Sequence, residues 1–142
     1  MSEYSLTLDK QVCFALYSAS NAVTRAYRPI LQKLDLTYLQ YMVMMVLWEH
    51  HSLNVKELGA KLHLDSGTLT PLLKRLDAKQ LIIRTRGEQD ERVRQISLTD
   101  AGAELKVDAL GIPEQLACQI QLDADDALEI KRLCNKLLSA TA

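Results

Sequence analysis

The sequence has few of the residues that interrupt helices or form covalent crosslinks. Its 142 residues include five glycines, three prolines and three cysteines, whereas 48% of them are apolar. So few helix-breaking residues in a chain of this length indicate one compact, mostly α-helical domain with its own core. The cysteines are odd in number and lack the spacing of a zinc site. This argues against a disulfide scaffold and favours a reducing, cytoplasmic compartment.

The sequence also lacks a long apolar run, a targeting segment and a metal-binding pattern. No stretch approaches the roughly 20 apolar residues that span a bilayer, so no membrane partner is expected. The first residues, MSEYSLTLDK, show no basic region followed by an apolar one, and we therefore expect no secretory signal. His50, His51 and His63 have no carboxylate or cysteine at ligand spacing, so neither a metal nor another cofactor is predicted.

The chain as a whole also has no excess of positive charge: its formal net charge is −1 at pH 7. The distribution is nevertheless uneven. Residues 60–95 contain eight Lys/Arg and five Asp/Glu, which leaves +3 in that segment and −4 in the remainder. Attraction to phosphate is screened beyond about 8 Å at physiological salt, so a basic segment on an acidic chain can still bind DNA.

Residues 62–99 have the pattern of a winged helix-turn-helix. A helix capped by Asp65 or Ser66 carries an apolar stripe of leucines, and two alternating strands joined by a charged turn follow it. A shorter helix over 55–62 precedes it as the first member of the pair. This order places one helix in the major groove of DNA and a β-hairpin, the wing, beside it.

The polar residues of this segment are the predicted DNA contacts. Short donors and long cations on the second helix should meet the major groove, with Arg75 the best placed for bidentate guanine recognition. Arginines of the wing should bind phosphate or enter the minor groove, and Asp90 should pair with and orient Arg92. The predicted set is Ser66, Thr68, Thr70, Lys74, Arg75, Arg84, Arg86, Asp90, Arg92 and Arg94.

Long amphipathic helices flank this DNA-binding head. Residues 8–36 and 100–142 carry more apolar surface than a head over 37–99 can cover, and Thr7 or Asp9 should cap the first helix. We therefore predict one domain, 1–142, whose outer helices form a homodimer. Such a dimer presents two heads to the half-sites of a pseudo-palindromic operator. A monomer with a larger intramolecular bundle is the alternative.

Taken together, these features resemble the MarR family of winged-helix repressors over nearly the whole chain. The wing strand DERVRQISLT and the overlapping LTDAGAEL are typical of that family. The segments KQVCFALYSASNAVTRAYRPILQKLDLTYLQYMVMMVLWE and LDSGTLTPLLKRL resemble its organic hydroperoxide regulators, the OhrR type. The resemblance implies a DNA-binding repressor, not an enzyme, that senses organic hydroperoxides through one cysteine near the start of the first helix. In this sequence that cysteine is Cys13.

The position of Cys13 suits such a role. The positive end of a helix dipole favours a thiolate there, and Tyr17 at i+4 can lie over it. Tyr27 lies about 21 Å further along the helix, at 1.5 Å per residue, so it cannot reach Cys13 of its own chain. The resemblance implies that Tyr27 and Tyr38 of one subunit donate hydrogen bonds to the Cys13 thiolate of the other. From spacing alone, a small buried hydrophobe is the commoner role of such a cysteine, and these tyrosines, with Tyr41, could be interface aromatics.

Cys118 is the predicted resolving cysteine. A peroxide converts a thiolate to sulfenic acid, which a nearby thiol can capture as a disulfide. Some regulators of this type carry that thiol on the fifth helix, which the segment IPEQLACQI resembles, so the resemblance pairs Cys118 of one subunit with Cys13 of the other. The alternative is a buried structural Cys118, with Cys13 capped by a small thiol. Cys134 is interpreted as a core residue.

Three other functions stay open at this point. A MarR-type repressor could be released by a small aromatic ligand in the interface, with Cys13 structural. A thiol peroxidase is a different class, but the sequence offers no second catalytic group near Cys13, no CxxC pair and no reason for a basic wing. A winged helix could also act as a protein-interaction scaffold that binds no DNA.

Overall fold

The computed structural model describes residues 6–86 and 93–142 and confirms a mostly helical fold with a small β-sheet wing. The helices in these ranges are α1 (Val12–Gln32), α2 (Tyr38–His50), α3 (Val55–Leu62), α4 (Ser66–Ala78), α5 (Asp100–Ala109), α6 (Ile112–Ile120) and α7 (Ala124–Ala140). The strands are β1 (Ser52–Asn54), β2 (Ile82–Arg86) and β3 (Arg94–Leu98). Within the described ranges, no helix combines the length and apolar character that crossing a membrane requires.

The first long helix begins later than the sequence pattern predicted. Leu8–Lys10 form a 3-10 turn, Gln11 is extended with φ −85° and ψ 122°, and α1 starts at Val12. Neither Thr7 nor Asp9 caps α1, because the N-cap residue is Gln11, whose side chain makes no capping bond. The apolar spacing continues through this region, but Val12 is 71% exposed, so within one chain no packing stabilises an earlier start.

Other helix starts follow local side-chain signals. Thr37 and Gln40 form a reciprocal capping box at α2, as do Asn54 and Glu57 at α3. In each box the first side chain accepts a backbone N–H three residues later, and the later side chain accepts the N–H of the cap residue. The side-chain caps of the later helices are Asp65 for α4, Thr99 for α5 and Asp123 for α7.

The core lies between α2, the α3–α4 pair and the sheet. α2 is apolar on nearly all sides and buries Val43, Met44 and Leu47 completely, as expected of a central helix. Tyr41, predicted to be an interface aromatic, is only 3% exposed and packs on Trp48 with the ring centroids 6.4 Å apart, so it belongs to the core of the single chain. The predicted apolar stripe of α4 is confirmed, with all four leucines buried: Leu69, Leu72, Leu73 and Leu76.

The sheet contains a strand that the sequence pattern missed. β1 pairs antiparallel with β3, and β3 pairs antiparallel with β2, which gives the order β1-β3-β2. Ile96 of β3 lies opposite Leu53 on one side and Arg84 on the other, and it is fully buried. β1 is three residues long, too short for alternation to be recognised. The return strand of the wing is therefore the middle strand of the described sheet.

A close backbone approach fixes α5 against the start of the wing. A Cβ atom on Gly102 would lie 2.0 Å from the carbonyl oxygen of Leu81, so this position has no room for a side chain. The indole Nε1 of Trp48 donates a 2.9 Å hydrogen bond to the Gly102 carbonyl oxygen, and the hydroxyl of Thr99 donates one of 2.6 Å to the carbonyl of Gln80. These contacts hold α2, α5 and the wing together.

The outer helices retain apolar faces that one chain does not cover. No residue of α7 is buried, which argues against a larger intramolecular bundle. Cys134, predicted to be a core residue, is only half-buried on this helix. Five large apolar side chains of α7 are between 44% and 67% exposed: Leu128, Ile130, Leu133, Leu137 and Leu138.

Candidate functional site

The exposed face of α4 carries every residue that was predicted to meet the major groove. Ser66, Thr68, Thr70, Lys74 and Arg75 are all exposed, opposite the buried leucines. At about 100° per residue, Thr70 and Lys74 lie along one edge of this face and Thr68 and Arg75 along the other. The structure therefore divides the predicted set into two edges with different surroundings.

The edge with Thr70 and Lys74 borders a basic groove between α4 and the wing. The groove has a volume of about 390 Å³. Its walls come from α3, α4 and both wing strands, and its lining consists of Val55, Thr70, Leu73, Lys74, Arg84 and Arg94. Three cations and one hydroxyl along an open channel suit the phosphate backbone of a nucleic acid, which is bound by such donors.

One of these cations has an intramolecular partner. The Nε and Nη2 atoms of Arg84 each lie 2.9 Å from Oδ2 of Asp77, near the end of α4, and the Arg84 side chain is only 24% exposed. Arg84 was predicted to bind DNA through the wing. The structure shows that it also joins β2 to α4, with most of its side chain covered, while it still lines the groove.

The outer end of the wing brings two arginines together. Arg86 and Arg94 are register partners across the β2–β3 ladder, and both are exposed. Two guanidinium groups at the exposed end of the wing suit contact with phosphate oxygens. Asp90 and Arg92, the remaining predicted wing residues, lie outside the described residues.

The edge with Arg75 faces the body of the protein. Arg75 lines a crevice of about 550 Å³ between α1, α2 and α4, whose other polar walls include Thr24, Arg28, Tyr38 and Lys79. Lys74, and not Arg75, lines the groove beside the wing, and the guanine recognition expected of Arg75 stays a prediction. Helical spacing in the sequence identified the exposed face but could not tell which edge of it adjoins which neighbour.

Cys13 lies in the first turn of α1, as its second residue, where backbone N–H groups have no helical acceptor. The thiol is free and exposed. Tyr17, one turn later, is 66% exposed, and within one chain it forms no ring contact with the described aromatic residues. Large apolar side chains surround this end of the helix and are also exposed: Leu8, Val12, Phe14 and Leu16.

Tyr27 and Tyr38 form a second part of the site, on α1 and α2. Their ring centroids are 4.6 Å apart, and Tyr41 lies behind them at 5.8 Å from Tyr27. Burial, with smaller contributions from the other two phenols, raises the pKa of Tyr27 to about 12, and burial also raises the pKa of Tyr38. Both phenols therefore remain hydrogen-bond donors at neutral pH, and neither hydroxyl donates to another described residue.

Cys118 lies on α6, which packs against α1 through Ile112 and Leu116. Its thiol is free and, within one chain, exposed. An exposed thiol on a helix that packs beside α1 is available to a second chain. No described group of three or more His, Cys, Asp or Glu side chains could hold a metal ion.

Sequence reasoning missed a polar contact between α4 and α2. The Lys79 ammonium donates a 2.9 Å hydrogen bond to Oε1 of Gln40, the one polar side chain that is buried in the described ranges. The spacing Thr37-x-x-Gln40 is a capping-box signature and could have identified Gln40. Nothing in the sequence connected it with Lys79, which is 39 positions away.

Comparison with known proteins places this architecture among transcriptional regulators. The family model described as "Transcriptional regulator SarA/Rot" matches residues 25–109. The chain is 45% identical over 133 residues to the organic hydroperoxide resistance transcriptional regulator of Bacillus subtilis, which covers 94% of this chain and 90% of that protein. It is 40% identical over 131 residues to the regulator SarZ of Staphylococcus saprophyticus, with 92% and 90% covered.

Solved structures of similar proteins include several states of AbfR, a protein of Staphylococcus epidermidis. Reduced AbfR bound to DNA is 30% identical, with a TM-score of 0.80 and 99% of both chains covered. Overoxidized AbfR bound to DNA is 29% identical, with a TM-score of 0.80 and 100% of both chains covered. A disulfide-formed AbfR is also known, at 29% identity and a TM-score of 0.66, with 96% of both chains covered.

Proposed function

Because this chain belongs to the MarR family of winged-helix transcriptional regulators, in the organic hydroperoxide resistance group, we propose that it represses transcription from an operator and releases the DNA when an organic hydroperoxide oxidises Cys13. The observation that carries the proposal is the separation of two sites in one small fold. One is a basic groove beside α4, the helix predicted to enter the major groove and called the reading helix below. The other is a free thiol at the exposed end of α1.

The DNA-binding part of the proposal rests on charge and shape. Thr70, Lys74 and Arg94 line the groove between α4 and the wing, and Arg86 faces Arg94 at the outer end of the wing. A duplex whose major groove receives α4 brings its phosphates to these cations. Binding of this kind loses affinity steeply with added salt, because each neutralised phosphate releases condensed counterions.

The active species is a homodimer. The exposed apolar faces at the start of α1 and along α7 need a cover, and a second copy supplies an identical and complementary one. Two heads on one dimer read two half-sites about one helical turn apart, which predicts a pseudo-palindromic operator. The domain is the whole chain, 1–142, with the dimer helices in 8–36 and 100–142 and the head in 37–99. As a DNA-binding repressor, it works in the cytoplasm.

The sensor forms across the dimer. The resemblance to the organic hydroperoxide regulators implies that the phenols of Tyr27 and Tyr38 hold the Cys13 thiolate of the partner subunit. The axial separation along α1, which keeps Cys13 from Tyr27 of its own chain, is consistent with this arrangement. Both phenols are protonated and have no other described acceptor, which suits this task. Tyr17, exposed one turn after Cys13, covers the thiolate from the same helix.

The chemistry at Cys13 is a two-electron oxidation. The thiolate attacks the distal oxygen of the hydroperoxide, the O–O bond breaks, and the alkoxide leaves and takes up a proton to give the alcohol. The product is a sulfenic acid on Cys13. The Cys118 thiol of the partner subunit then attacks this sulfur, which forms the disulfide and releases water. The protein undergoes one oxidation per hydroperoxide and does not turn over, so it is a sensor and not an enzyme.

Oxidation at a packed interface changes the separation or tilt of the two heads. Packed interfaces have discrete arrangements, so a small change at Cys13 can shift the dimer to one in which the heads no longer match the half-sites. Tenfold lower occupancy requires only about 1.4 kcal/mol of differential affinity.

Substitution of Cys13 tests the sensor. Reduced wild type and Cys13→Ser should bind promoter DNA with similar affinity, whereas an organic hydroperoxide should weaken binding at least tenfold in wild type only. Gel shifts or fluorescence anisotropy with cumene hydroperoxide measure this, and hydrogen peroxide is the comparison. Cys134→Ser is the matched control and should respond as wild type does. Release of DNA from Cys13→Ser by the hydroperoxide would refute the sensor, and release by a small aromatic acid alone would favour a ligand-gated repressor.

The role of Cys118 has its own readout. Mass spectrometry after one equivalent of hydroperoxide should find a Cys13–Cys118 disulfide between chains, and Cys118→Ser should abolish that link. A mixed disulfide between Cys13 and a small thiol in wild type would show that Cys118 takes no part. Steady consumption of peroxide in the presence of a thiol reductant would instead indicate a peroxidase, and failure to bind any promoter DNA would indicate a scaffold.

A further inference from the structure

The Lys79 side chain links the end of α4 to the junction between α1 and α2. Lys79 follows α4 directly as its C-cap residue. Its ammonium donates to Oε1 of Gln40 at 2.9 Å and to the carbonyl oxygen of Asp35, and it lies 3.7 Å from the Asp35 carboxylate. The Lys79 side chain is 29% exposed, so much of it is ordered against its neighbours.

The acceptor on α2 is built into the start of that helix. Gln40 is 3% exposed, and the same Oε1 that accepts from Lys79 also accepts the backbone N–H of Thr37 at 3.2 Å. In return the hydroxyl of Thr37 accepts the backbone N–H of Gln40 at 3.3 Å. One buried oxygen therefore belongs both to the capping box of α2 and to the contact with α4. The first turn of α2 cannot move without moving the acceptor of Lys79.

Tyr38 lies inside this first turn, between the two residues of the capping box. Its ring stacks on Tyr27 at 4.6 Å, and it shares the crevice between α1, α2 and α4 with Lys79 and Arg75. A displacement of the Tyr38 phenol that moves the first turn of α2 would therefore also move the acceptor of Lys79, the residue at the end of the helix that carries the predicted DNA contacts.

We propose that Lys79 is a positioning residue that couples the tyrosine pair, Tyr27 and Tyr38, to the reading helix. This inference rests on the proposed function, since it requires that oxidation of Cys13 disturbs those tyrosines. Lys79 is not one of the predicted DNA contacts, and its partners among the described residues are Asp35 and Gln40 rather than Cys13. With its hydrogen bonds in place, α4 follows the first turn of α2, and without them α4 keeps its DNA-binding position when α2 shifts.

The alternative is that Lys79 only caps the α1 carbonyl end and stabilises the fold. A structural role changes the free energy of unfolding but leaves the ratio of oxidised to reduced DNA affinity unchanged. A coupling role changes that ratio while the reaction of Cys13 with peroxide proceeds at its normal rate. The two roles are therefore separable by measurement.

The test uses Lys79→Met in the full-length protein, which keeps the length of the side chain and removes its charge and donors. Lys33→Met is the matched control, because Lys33 lies at the C-cap of α1, is exposed, and its side chain makes no polar contact with the described residues. The measured quantity is the ratio of operator Kd after and before one equivalent of cumene hydroperoxide. The rate of Cys13 oxidation is followed in parallel by mass spectrometry.

We expect a ratio of ten or more in wild type and in Lys33→Met, and a ratio below three in Lys79→Met with an unchanged oxidation rate and reduced-state Kd. Lys79→Arg, which restores the charge and donors, should recover at least half of the wild-type effect on a logarithmic scale. A wild-type ratio in Lys79→Met would overturn the coupling role. If Lys79→Met does not fold, Lys79→Gln replaces it under the same criteria. A wild type whose Cys13 is oxidised but which stays on the DNA would refute the proposed function itself.

Discussion

Among single side chains, the three clustered phenols show how one fold gives similar residues different uses. Tyr41 is 3% exposed and contacts Trp48, so it fills the core. Tyr27 and Tyr38 are half-buried and stack on each other, with their hydroxyls free of described partners. The sequence alone could not separate these roles, because all three tyrosines occur at spacings that fit an apolar helix face.

The raised pKa of Tyr27 predicts a specific loss of stability in alkali. Tyr27 ionises near pH 12 in the folded protein and near 10 in the unfolded chain. Between those values the unfolded chain has lost a proton that the folded protein retains, so the free energy of unfolding falls as the pH rises from 10 to 12. Tyr27→Phe should therefore lose less stability than wild type over this interval, as measured by urea denaturation. Tyr17→Phe, at a mostly exposed position, should follow wild type, and parallel curves for all three proteins would contradict the assignment.

Among the helices and strands, the ones predicted from sequence are those whose signals are local. The cap of α4 at Asp65, the bounds of α3 and the leucine stripe of α4 follow from residues within one or two turns. The elements that were missed depend on distant contacts. β1 exists because β3 pairs with it, and the early start predicted for α1 fails because nothing in one chain packs there.

The features of the candidate site also fall into those that local sequence predicts and those that depend on distant contacts. Exposure of Lys74 and Arg75 was predictable from helical spacing, and so was the place of Cys13 near the start of the first helix, although the helix begins later than predicted. The pairing of Arg84 with Asp77 and the bond from Lys79 to Gln40 were not, because each joins elements whose mutual orientation is set by tertiary packing. Sequence patterns therefore predicted the exposure and the helix position of the candidate residues, but not their tertiary partners.

The packing of α5 against the wing predicts a severe effect of a small substitution. Gly102→Ala places a methyl group 2.0 Å from the Leu81 carbonyl oxygen, so α5 must shift, and we expect the free energy of unfolding to fall by about 3 kcal/mol. Gly67→Ala is the control, since its Cβ would meet only the Asp65 carboxylate at 3.5 Å, and it should change stability by less than about 1 kcal/mol. If thermal or chemical denaturation gave equal losses of stability for the two variants, the close approach at Gly102 would not be what makes that position sensitive to substitution.

At the scale of the whole molecule, the exposed apolar face of α7 predicts that stability depends on protein concentration. A dimer that buries this helix is favoured by mass action, so the melting temperature should rise over a hundredfold increase in concentration. Leu133→Asp should place a charge in the interface, yield monomers in analytical ultracentrifugation and abolish that dependence. Asn135→Asp, a polar change on the same helix, should leave the dimer intact. A melting temperature independent of concentration in wild type would contradict a dimer joined through α7.

The position of β3 in the middle of the sheet determines how large a rotation of the head is needed to release an operator. β3 is hydrogen-bonded to β1, which is continuous with the corner between α2 and α3, so the hairpin is a stiff arm with its base in the head. From Ile82 to Arg86 this arm is about 13 Å long at 3.3 Å per residue. A tilt of about 10° at the base displaces the guanidinium end by roughly 2 Å, enough to break a hydrogen bond to phosphate. Release of the operator therefore requires no unfolding of the DNA-binding head, because a small rotation of the head is enough to separate the wing arginines from the phosphates.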